Sequence, residues 1–222
     1  MTKIKIQATI REQVYEILKE RILSGYYPGG THLSEQQICS ELDISRSPVR
    51  EAIRLLEADG LLSGEANKGV EVRNFTEKDV RNMYQVENLV QVGSIRFGFK
   101  DLDRKEKDWF RDIRQAFIDA YETNDSGKYL EVSTRFHNKI AELSGNELIV
   151  GFYRRNGTLC QRFRGISLQN RRRLESSHNE HLRMIEAILS DDQEDLMAIM
   201  SYHISESLRA TLLAIPKASD IE

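Results

Sequence analysis

The spacing of apolar residues between positions 45 and 60 predicts a short amphipathic helix. Its hydrophobic residues recur every three or four positions, which places them on one helical face: Val49, Ala52, Ile53 and Leu56. Ser45 or Ser47 suits the N-cap, and Pro48 is tolerated in the first turn because the amides there have no intrahelical partner. Gly60 suits the left-handed residue that ends a helix. One side of this helix is therefore expected to be buried.

The segments on either side of this helix complete a larger pattern. Ser34 followed by Gln37 is a capping-box sequence that opens a preceding helix, and a tight turn at Asp43-Ile44 separates the two. Two short helices joined in this way form a helix-turn-helix, whose second helix enters the major groove of DNA. An apolar pair at 61–62 and a segment at 70–73 that alternates apolar and charged residues flank a turn that contains Gly and Asn, which predicts a β-hairpin. Together these elements indicate a winged helix.

The outer flank of the second helix carries Arg46, Arg50 and Arg54 at intervals of four residues. A guanidinium group binds a phosphate, or the edge of a guanine, through two parallel hydrogen bonds, so this arrangement favours DNA binding. An ordinary surface helix with solvated charges is the alternative interpretation. Residues 1–75 hold ten basic and eleven acidic residues. Any attraction for DNA must therefore come from the local placement of arginine.

The N-terminal third of the chain resembles the DNA-binding domain of the GntR family of bacterial transcription regulators. The resemblance rests on Leu33-Ser34-Glu35, on 45–56, on Gly60-Leu61 and on 67–70. It implies that the arginines and small hydroxyl residues at the start of the second helix contact an operator, and that the wing glycine approaches the minor groove. A third arginine of the family pattern falls on Gln36 in this chain. The predicted DNA-binding residues are Gln36, Ser45, Arg46, Ser47, Arg50, Arg54, Lys68 and Gly69.

The remaining hydrophobic pattern predicts helices without strands. A first helix covers 10–23, with an apolar stripe at Ile10, Val14, Ile17, Leu18 and Ile22. Six more are predicted at 76–99, 103–123, 127–143, 146–168, 172–189 and 192–215. Glycines at 151, 157 and 165 predict a kink or a break in the fourth of these. Short loops between long helices are typical of an antiparallel bundle.

The start of the first of these six helices suggests the domain boundary. Thr76 and Asp79 form a cap and an acidic first turn, so we expect the boundary near residue 75. The predicted fold class is mainly α, with a winged helix-turn-helix domain over 1–75. An all-α antiparallel helical bundle over 76–222 follows, for effector binding or dimerisation.

Composition narrows the class of protein. The chain has 222 residues, of which 40% are hydrophobic and 30% charged, and its net charge is −3. No apolar stretch approaches the length of a membrane span, and the first residues lack the apolar run of a signal peptide. Cys39 and Cys160 are widely separated, which is typical of reduced thiols. We therefore expect a cytoplasmic protein that does not bind membranes.

The C-terminal half resembles the effector-binding domain of the FadR branch of the same family. The segments that carry the resemblance are Phe136-His137, 144–146, 180–188 and 200–204. The resemblance implies an all-helical bundle that dimerises or senses a small molecule, often a carboxylate metabolite. Many members hold a divalent metal through one aspartate and three histidines.

Three histidines occupy the matching positions, namely His137, His181 and His203, on three predicted helices. Neutral imidazoles that converge in a bundle are good ligands for zinc or nickel, so we expect a divalent transition metal as cofactor. The family aspartate falls on Ser133, and a neutral hydroxyl is a poor ligand. Three packed histidines without an ion are the alternative. His178 lies off the matching positions, and we expect it at the surface.

Arginines near this site suggest how an acidic effector would be held. Arg162 and Arg164, or Arg135 beside the first histidine, are candidates, and Ser133 completes the predicted effector-binding set. In the first bundle helix, Glu87 and Gln91 depart from the family pattern of an arginine followed by a glutamate. The run 171–173 is expected to be a solvated basic turn.

The pattern as a whole predicts a bacterial transcription regulator that acts as a repressor and is not an enzyme. It would bind operator DNA as a homodimer, and its helical domain would bind a small organic acid through a metal. Two alternatives stay open at this stage. One is a metalloenzyme with an open three-histidine site, although no carboxylate at helical spacing suits a general base. The other is a regulator whose bundle only dimerises.

Overall fold

The computed structural model describes residues 9–23, 25–65, 69–99 and 102–215. The chain divides into two compact units, Met1–Phe75 and Thr76–Glu222. The first unit combines helices with a small sheet, and the described part of the second is helical. The predicted class, mainly α with a winged helix followed by a helical bundle, is confirmed.

The first unit contains a helix-turn-helix. Its elements are α1 (Ile10–Leu23), β1 (His32–Leu33), α2 (Glu35–Leu42), α3 (Arg46–Ala58), β2 (Leu62–Glu65) and β3 (Gly69–Val72). Asp43 adopts a left-handed conformation, with φ of 50°, at the turn between α2 and α3. Gly60 ends α3 with φ of 70°, as predicted.

The hairpin strands β2 and β3 pair antiparallel, and β1 adds a third strand on the other side of β3. We did not predict β1, because a strand of two residues has no hydrophobic alternation to detect. Gly69 begins β3 with φ of +84°, and a Cβ there would lie 3.0 Å from the carbonyl oxygen of Leu33. The close pairing of β1 with β3 therefore itself favours glycine at this position.

The core of this unit is built largely by α1 and α3. All four apolar residues predicted on the inner face of α3 are buried. On α1 the buried residues are Val14, Leu18 and Ile22, whereas Ile10 and Ile17 are exposed. The predicted apolar stripe on α1 therefore included two residues too many. The buried face of this helix is narrower than the spacing of its apolar residues suggested.

The caps differ in detail from the prediction. The Ser34 hydroxyl accepts a hydrogen bond from the amide of Gln37, but the Gln37 side chain donates to Glu41 and does not complete the capping box. Ser45 is the N-cap of α3 by position, but its side chain makes no capping hydrogen bond.

Six antiparallel helices form the described part of the second unit. They are α4 (Glu77–Gly98), α5 (Arg104–Glu122), α6 (Ser126–Leu143), α7 (Glu147–Leu168), α8 (Arg171–Leu189) and α9 (Gln193–Ala214). Each lies within two residues of its predicted limits. A full capping box at Thr76 and Asp79 opens α4. The short loops are made by left-handed residues at Asn124, Gly145 and Asp191.

The glycines of α7 do not interrupt the helix, so the predicted break is wrong. Packing against neighbouring helices offsets the intrinsic cost of glycine in a helix. Gly165 shows this packing, since a Cβ there would lie 3.2 Å from Cδ2 of Leu130 on α6.

An aromatic cluster fills the bundle between α5, α6 and α8. Phe117 lies at the centre of this cluster, where its ring stacks on His181 at 4.4 Å and meets Phe136 edge-on at 5.9 Å. Tyr129 and Phe110 complete the cluster, and all these aromatic side chains are buried. None of the helices in the described segments is long and apolar enough to cross a membrane.

We predict that Gly98→Ala destabilises the helical unit strongly. Its Cβ would lie 1.4 Å from the carbonyl oxygen of Leu143, which is backbone of α6 and cannot rotate away. Overpacking of this kind costs about 1–3 kcal/mol or more in free energy of unfolding. Gly157→Ala is the control, because its Cβ would meet nothing within 4 Å, and alanine in a helix is favoured by up to about 1 kcal/mol. Urea unfolding curves measure both variants, and equal stability of the two would contradict the prediction.

Candidate nucleic-acid interface and metal centre

The outer face of α3 presents the arginines that the sequence pattern singled out. Arg46, Ser47, Arg50 and Arg54 are all exposed, and Ser45 precedes them at the N-cap with its hydroxyl uncommitted to capping. Gln36, on α2, is exposed as well. Lys68 lies outside the described residues. The N-terminal end of α3 thus presents two hydroxyl groups, of Ser45 and Ser47, and the guanidinium groups of Arg46 and Arg50.

Arg50 is held by an acidic partner that we did not predict. Its Nε donates to Oε1 of Glu35 at 2.8 Å, and its Nη2 donates to Oε2 at 2.9 Å. This hydrogen-bonded fork, with smaller contributions from Arg46 and Arg54, lowers the pKa of the Glu35 carboxyl. The fork limits the rotamers of Arg50, so its guanidinium is oriented before any ligand arrives.

A cleft of about 750 Å³ separates α3 from the hairpin. Arg50 and Arg54 line one side, and Gly64 and Gly69 line the other. The cleft brings predicted residues of the helix and the wing to one surface.

The three predicted metal ligands come together in the second unit. His137 on α6, His181 on α8 and His203 on α9 are at most 2% exposed. Their ring centroids lie 4.6 to 5.5 Å apart. One nitrogen of each ring lies within 4.8 Å of the corresponding nitrogens of the other two. This grouping is close enough for the three rings to share one ion.

Each Nδ1 atom is committed to a hydrogen-bond partner. His137 donates to Oε1 of Gln91 at 3.1 Å, and His181 donates to the carbonyl oxygen of Ser177 at 2.7 Å. His203 lies 2.6 Å from a carboxylate oxygen of Glu180. The shortest contact of each Nδ1 is with an acceptor, which favours the tautomer that carries its proton on Nδ1. His203 Nδ1 also lies 3.1 Å from a donor, Nη2 of Arg173.

The Nε2 atoms of the three histidines differ from the Nδ1 atoms in their hydrogen bonding. All three are buried and have no hydrogen-bond partner among the described residues. Burial lowers the pKa of each imidazole well below its usual value, with a further contribution from neighbouring positive charge, so the rings are neutral. Three clustered imidazoles, each with an unpartnered Nε2 and with an acceptor beside its other nitrogen, suit zinc or nickel. The residues present therefore fit a divalent ion.

Ser133 lies one helical turn before His137 on the same face of α6. It is 1% exposed, and its Oγ has no hydrogen-bond partner among the described residues. Buried hydroxyl groups usually have a partner, so this one is unusual. It occupies the position where the family pattern has its aspartate.

A buried ion pair lies beside the histidines. Arg164 donates to Glu87 at 3.1 Å and to the Tyr153 hydroxyl at 3.0 Å. It lines a narrow space together with His137 and His203. Of the predicted effector-binding arginines, Arg164 is therefore the one that the structure brings to the histidines.

The other predicted arginines lie elsewhere. Arg135 is exposed and projects from the side of α6 opposite His137. Arg162 is half-buried on α7 and does not line the space beside the histidines.

The predicted basic turn at 171–173 is wrong for one residue. Arg171 and Arg172 are exposed, but Arg173 is buried and donates to Oε1 of Glu180 at 2.8 Å. It also donates to the carbonyl oxygen of His203 at 3.1 Å. Helical phase explains the difference, because position 173 faces the core while its two predecessors face solvent.

His178 is likewise buried and not at the surface as predicted. Its ring stacks on Tyr121 at 4.2 Å with an interplanar angle of 10°. It does not belong to the histidine cluster. The polar residues that hold the cluster, Gln91, Glu87 and Glu180, were not predicted, because helical spacing alone does not reveal which helices pack together.

A winged helix that exposes arginines, followed by a helical domain with a buried polar site, is the architecture of a DNA-binding regulator. The sequence matches the bacterial regulatory proteins of the gntR family over residues 10–72 and the FCD domain over residues 82–206. The chain belongs to the GntR family of transcription regulators and carries an FCD domain. The match is consistent with the FadR branch, which stays a prediction.

Characterised relatives cover most of the chain. The chain is 29% identical over 171 residues to the gluconate operon transcriptional repressor of Bacillus subtilis. The match covers 76% of this chain and 68% of that one. It is 24% identical over 212 residues to the transcriptional repressor RspR of Escherichia coli, spanning 94% and 92%.

A crystal structure of a GntR transcriptional regulator from Rhodococcus sp. RHA1 has the same fold. The TM-score is 0.78 and the identity 23%, over 93% of this chain and 99% of that one. The relatives are transcription regulators and not enzymes, so the metalloenzyme alternative is set aside.

We predict that Arg173→Met destabilises the protein by about 3–5 kcal/mol, since removing one partner leaves the charge of Glu180 buried and uncompensated. Arg172→Met is the matched control, because that neighbour is exposed and its loss should change stability by less than about 0.5 kcal/mol. Thermal and urea unfolding of the two variants measure the difference. Similar unfolding midpoints would show that the buried pair does not stabilise the fold.

Proposed function

We propose that this protein is a homodimeric regulator controlled by a ligand. We also propose that it represses transcription, as its relatives named above do. The first turn of α3 would read the operator, and the histidine site would hold a divalent metal and a small carboxylate effector. The observation that carries the proposal is the cluster of three buried histidines beside a buried arginine, whose Nε2 atoms have no partner among the described residues. We place the protein in the cytoplasm, because its target is bacterial DNA.

The DNA contact is supported by placement and not by net charge. Arg46 and Arg50 lie one turn apart at the N-terminal end of a helix whose other face is buried, which is how a recognition helix lies in the major groove. Gln36, Ser45, Ser47, Arg54, Lys68 and Gly69 complete the proposed contact set. Glu35 would act as a positioning residue, because it holds Arg50 in one orientation through the bidentate fork.

A dimer is supported by an unpartnered apolar surface on α4 and α7. Leu89 and Phe97 on α4 are 74% and 70% exposed, and Leu148 on α7 is 83% exposed. Gly93 lies between the first two, and a Cβ there would meet only Phe97, at 3.9 Å. No neighbour among the described residues requires glycine at that point, whereas close approach of a second helix would. We propose that two copies associate through this α4–α7 face.

The metal is supported by the chemistry of the donor set. His137, His181 and His203 would hold zinc or nickel through Nε2, while Gln91 and Glu180 keep two of the rings oriented. The bound ion would supply positive charge that a carboxylate oxygen can coordinate. Arg164, which lines the adjacent space, would bind the same carboxylate.

A single helix connects this site to the proposed dimer interface. The Gln91 side chain accepts from His137 Nδ1 and donates to the carbonyl oxygen of the same residue at 3.0 Å. Leu89 and Phe97 occupy the outer face of that helix, α4. An effector that favours one position of α6 relative to α4 would therefore favour one arrangement of the two copies. That arrangement would set the distance between their recognition helices. Regulation follows only if the effector binds the two states with different affinity.

We expect Arg50→Ala to weaken operator binding by about 1–3 kcal/mol, because it removes a bidentate base contact. The probe is a duplex selected from a random library by the wild-type protein, and affinity is measured by fluorescence anisotropy at fixed salt. Arg209→Ala is the control, since it removes an equal charge from an exposed position on α9. Unchanged affinity of Arg50→Ala would remove this arginine from the contact set.

We expect the purified protein to contain about one equivalent of zinc or nickel per chain, as three histidine ligands are enough for a structural or ligand-binding site. Elemental mass spectrometry measures this for the wild type, for His181→Gln and for His178→Gln. Metal should be lost from the first variant and kept in the second, whose histidine lies on the same helix outside the cluster. No metal in any of the three, even after incubation with either ion, would favour a bundle that only dimerises.

A further inference from the structure

A pocket of about 240 Å³ lies between α4 and α7. We call it the α4–α7 pocket. Most of its wall is apolar and consists of Met83, Val86, Val90, Phe152, Leu159 and Cys160. A packed protein interior leaves few spaces larger than a water molecule, so a pocket of this size is a candidate ligand site.

The α4–α7 pocket is separate from the histidine cluster. Among the described residues, Glu87 alone lines both this pocket and the narrow space beside the histidines. Arg164, which pairs with Glu87 at 3.1 Å, lines only the narrow space. A molecule in the pocket would therefore contact the carboxylate of Glu87 without reaching the histidines.

The polar part of the pocket wall is able to accept a hydrogen bond. Glu87 and Tyr153 both line the pocket, and they are 3% and 2% exposed. Oε1 of Glu87 accepts from Nη2 of Arg164 at 3.1 Å and from the Tyr153 hydroxyl at 3.3 Å. No other described group donates to this carboxylate, so its Oε2 is without a partner. Because buried carboxylate oxygens usually have donors, this one favours a ligand that carries an N–H or O–H group.

The charges beside the pocket narrow the class of ligand. Arg164 already neutralises Glu87, so a cationic ligand would add a charge that nothing compensates. An anionic ligand would meet the carboxylate directly, which is also unfavourable in a site from which water is excluded. An uncharged hydroxyl group is able to donate to Glu87 without either cost.

The apolar wall suits an aromatic ring. Phe152 offers a ring, and the sulfur atoms of Met83 and Cys160 lie 3.4 Å apart. Aromatic rings pack favourably on other rings and on polarisable sulfur. A dry cavity of about 150 Å³ is enough to bind benzene. The α4–α7 pocket therefore has room for one ring with small substituents.

We propose that the α4–α7 pocket is a second ligand site, which takes a small uncharged phenol or aromatic alcohol. Its ring would lie against Phe152 and the two sulfur atoms, and its hydroxyl would donate to Glu87. The proposal goes beyond the metal and carboxylate proposed for the histidine cluster and does not depend on them. Val86 and Phe152 are 40% and 38% exposed, so the pocket opens on the α4–α7 face that we propose for the dimer.

The test is a calorimetric titration of the full chain with 4-methylphenol, toluene and 4-methylbenzoate. We expect 4-methylphenol to bind with a Kd below about 1 mM. Toluene lacks only the hydroxyl, and it should bind about tenfold more weakly because the hydrogen bond to a carboxylate is lost. The negative charge of 4-methylbenzoate should abolish binding.

A pair of variants locates the binding site. Val86→Trp places a large side chain in the wall of the pocket and should weaken 4-methylphenol binding by about tenfold or more. Gln85→Trp is the matched control, because this exposed neighbour does not line the pocket. It should keep the affinity of the wild type. Both positions are exposed, so both variants are expected to fold.

Three results would overturn the proposal. Equal affinities for 4-methylphenol and toluene would contradict the hydrogen bond to Glu87. Unchanged binding to Val86→Trp would place the ligand elsewhere. Binding that is lost as copies associate, measured by analytical ultracentrifugation over a range of protein concentrations, would assign the pocket to a side chain of a second copy. None of these results bears on the proposed metal, which elemental analysis measures separately.

Discussion

The helical unit depends on burying three imidazole rings without charging them. Each ring has an acceptor beside its Nδ1 atom, which is an amide, a backbone carbonyl or a carboxylate, and this contact orients the ring. The carboxylate that serves His203 is buried too, and it is tolerated because Arg173 neutralises it. These contacts join α4 to α6 and α8 to α9, and one nitrogen of each ring lies within 4.8 Å of a nitrogen of the other two.

The same requirement connects the site to the rest of the unit. Gln91 on α4 binds both the ring and the backbone of His137, while Glu87, one turn earlier, neutralises Arg164. The outer face of α4 carries Leu89 and Phe97 in contact with solvent. One helix thus bears the supports of the proposed ligand site on its inner side and the proposed dimer contact on its outer side. This arrangement is a physical basis for coupling, since a helix moves more readily as a rigid body than it deforms.

The proposed DNA contact of the winged helix depends on where its arginines lie and not on its net charge. Its unit carries no excess of positive charge, so a long-range field would contribute little to DNA binding. Arginine is instead concentrated on one flank of α3, and Glu35 holds Arg50 in place with two hydrogen bonds. Local geometry replaces net charge, which favours contacts at particular positions over general attraction to phosphate.

The sequence by itself determined the local features: the buried face of α3, the helix limits, the winged helix and the three histidines. These depend on periodicity and on caps, which involve residues close in the chain. Only the tertiary structure decided the partners of Arg173, Gln91 and Glu87, and only it showed that His178 is buried. Such contacts join residues on different helices or on faces whose phase the pattern does not resolve, so packing alone determines whether a charged residue meets water or an opposite charge.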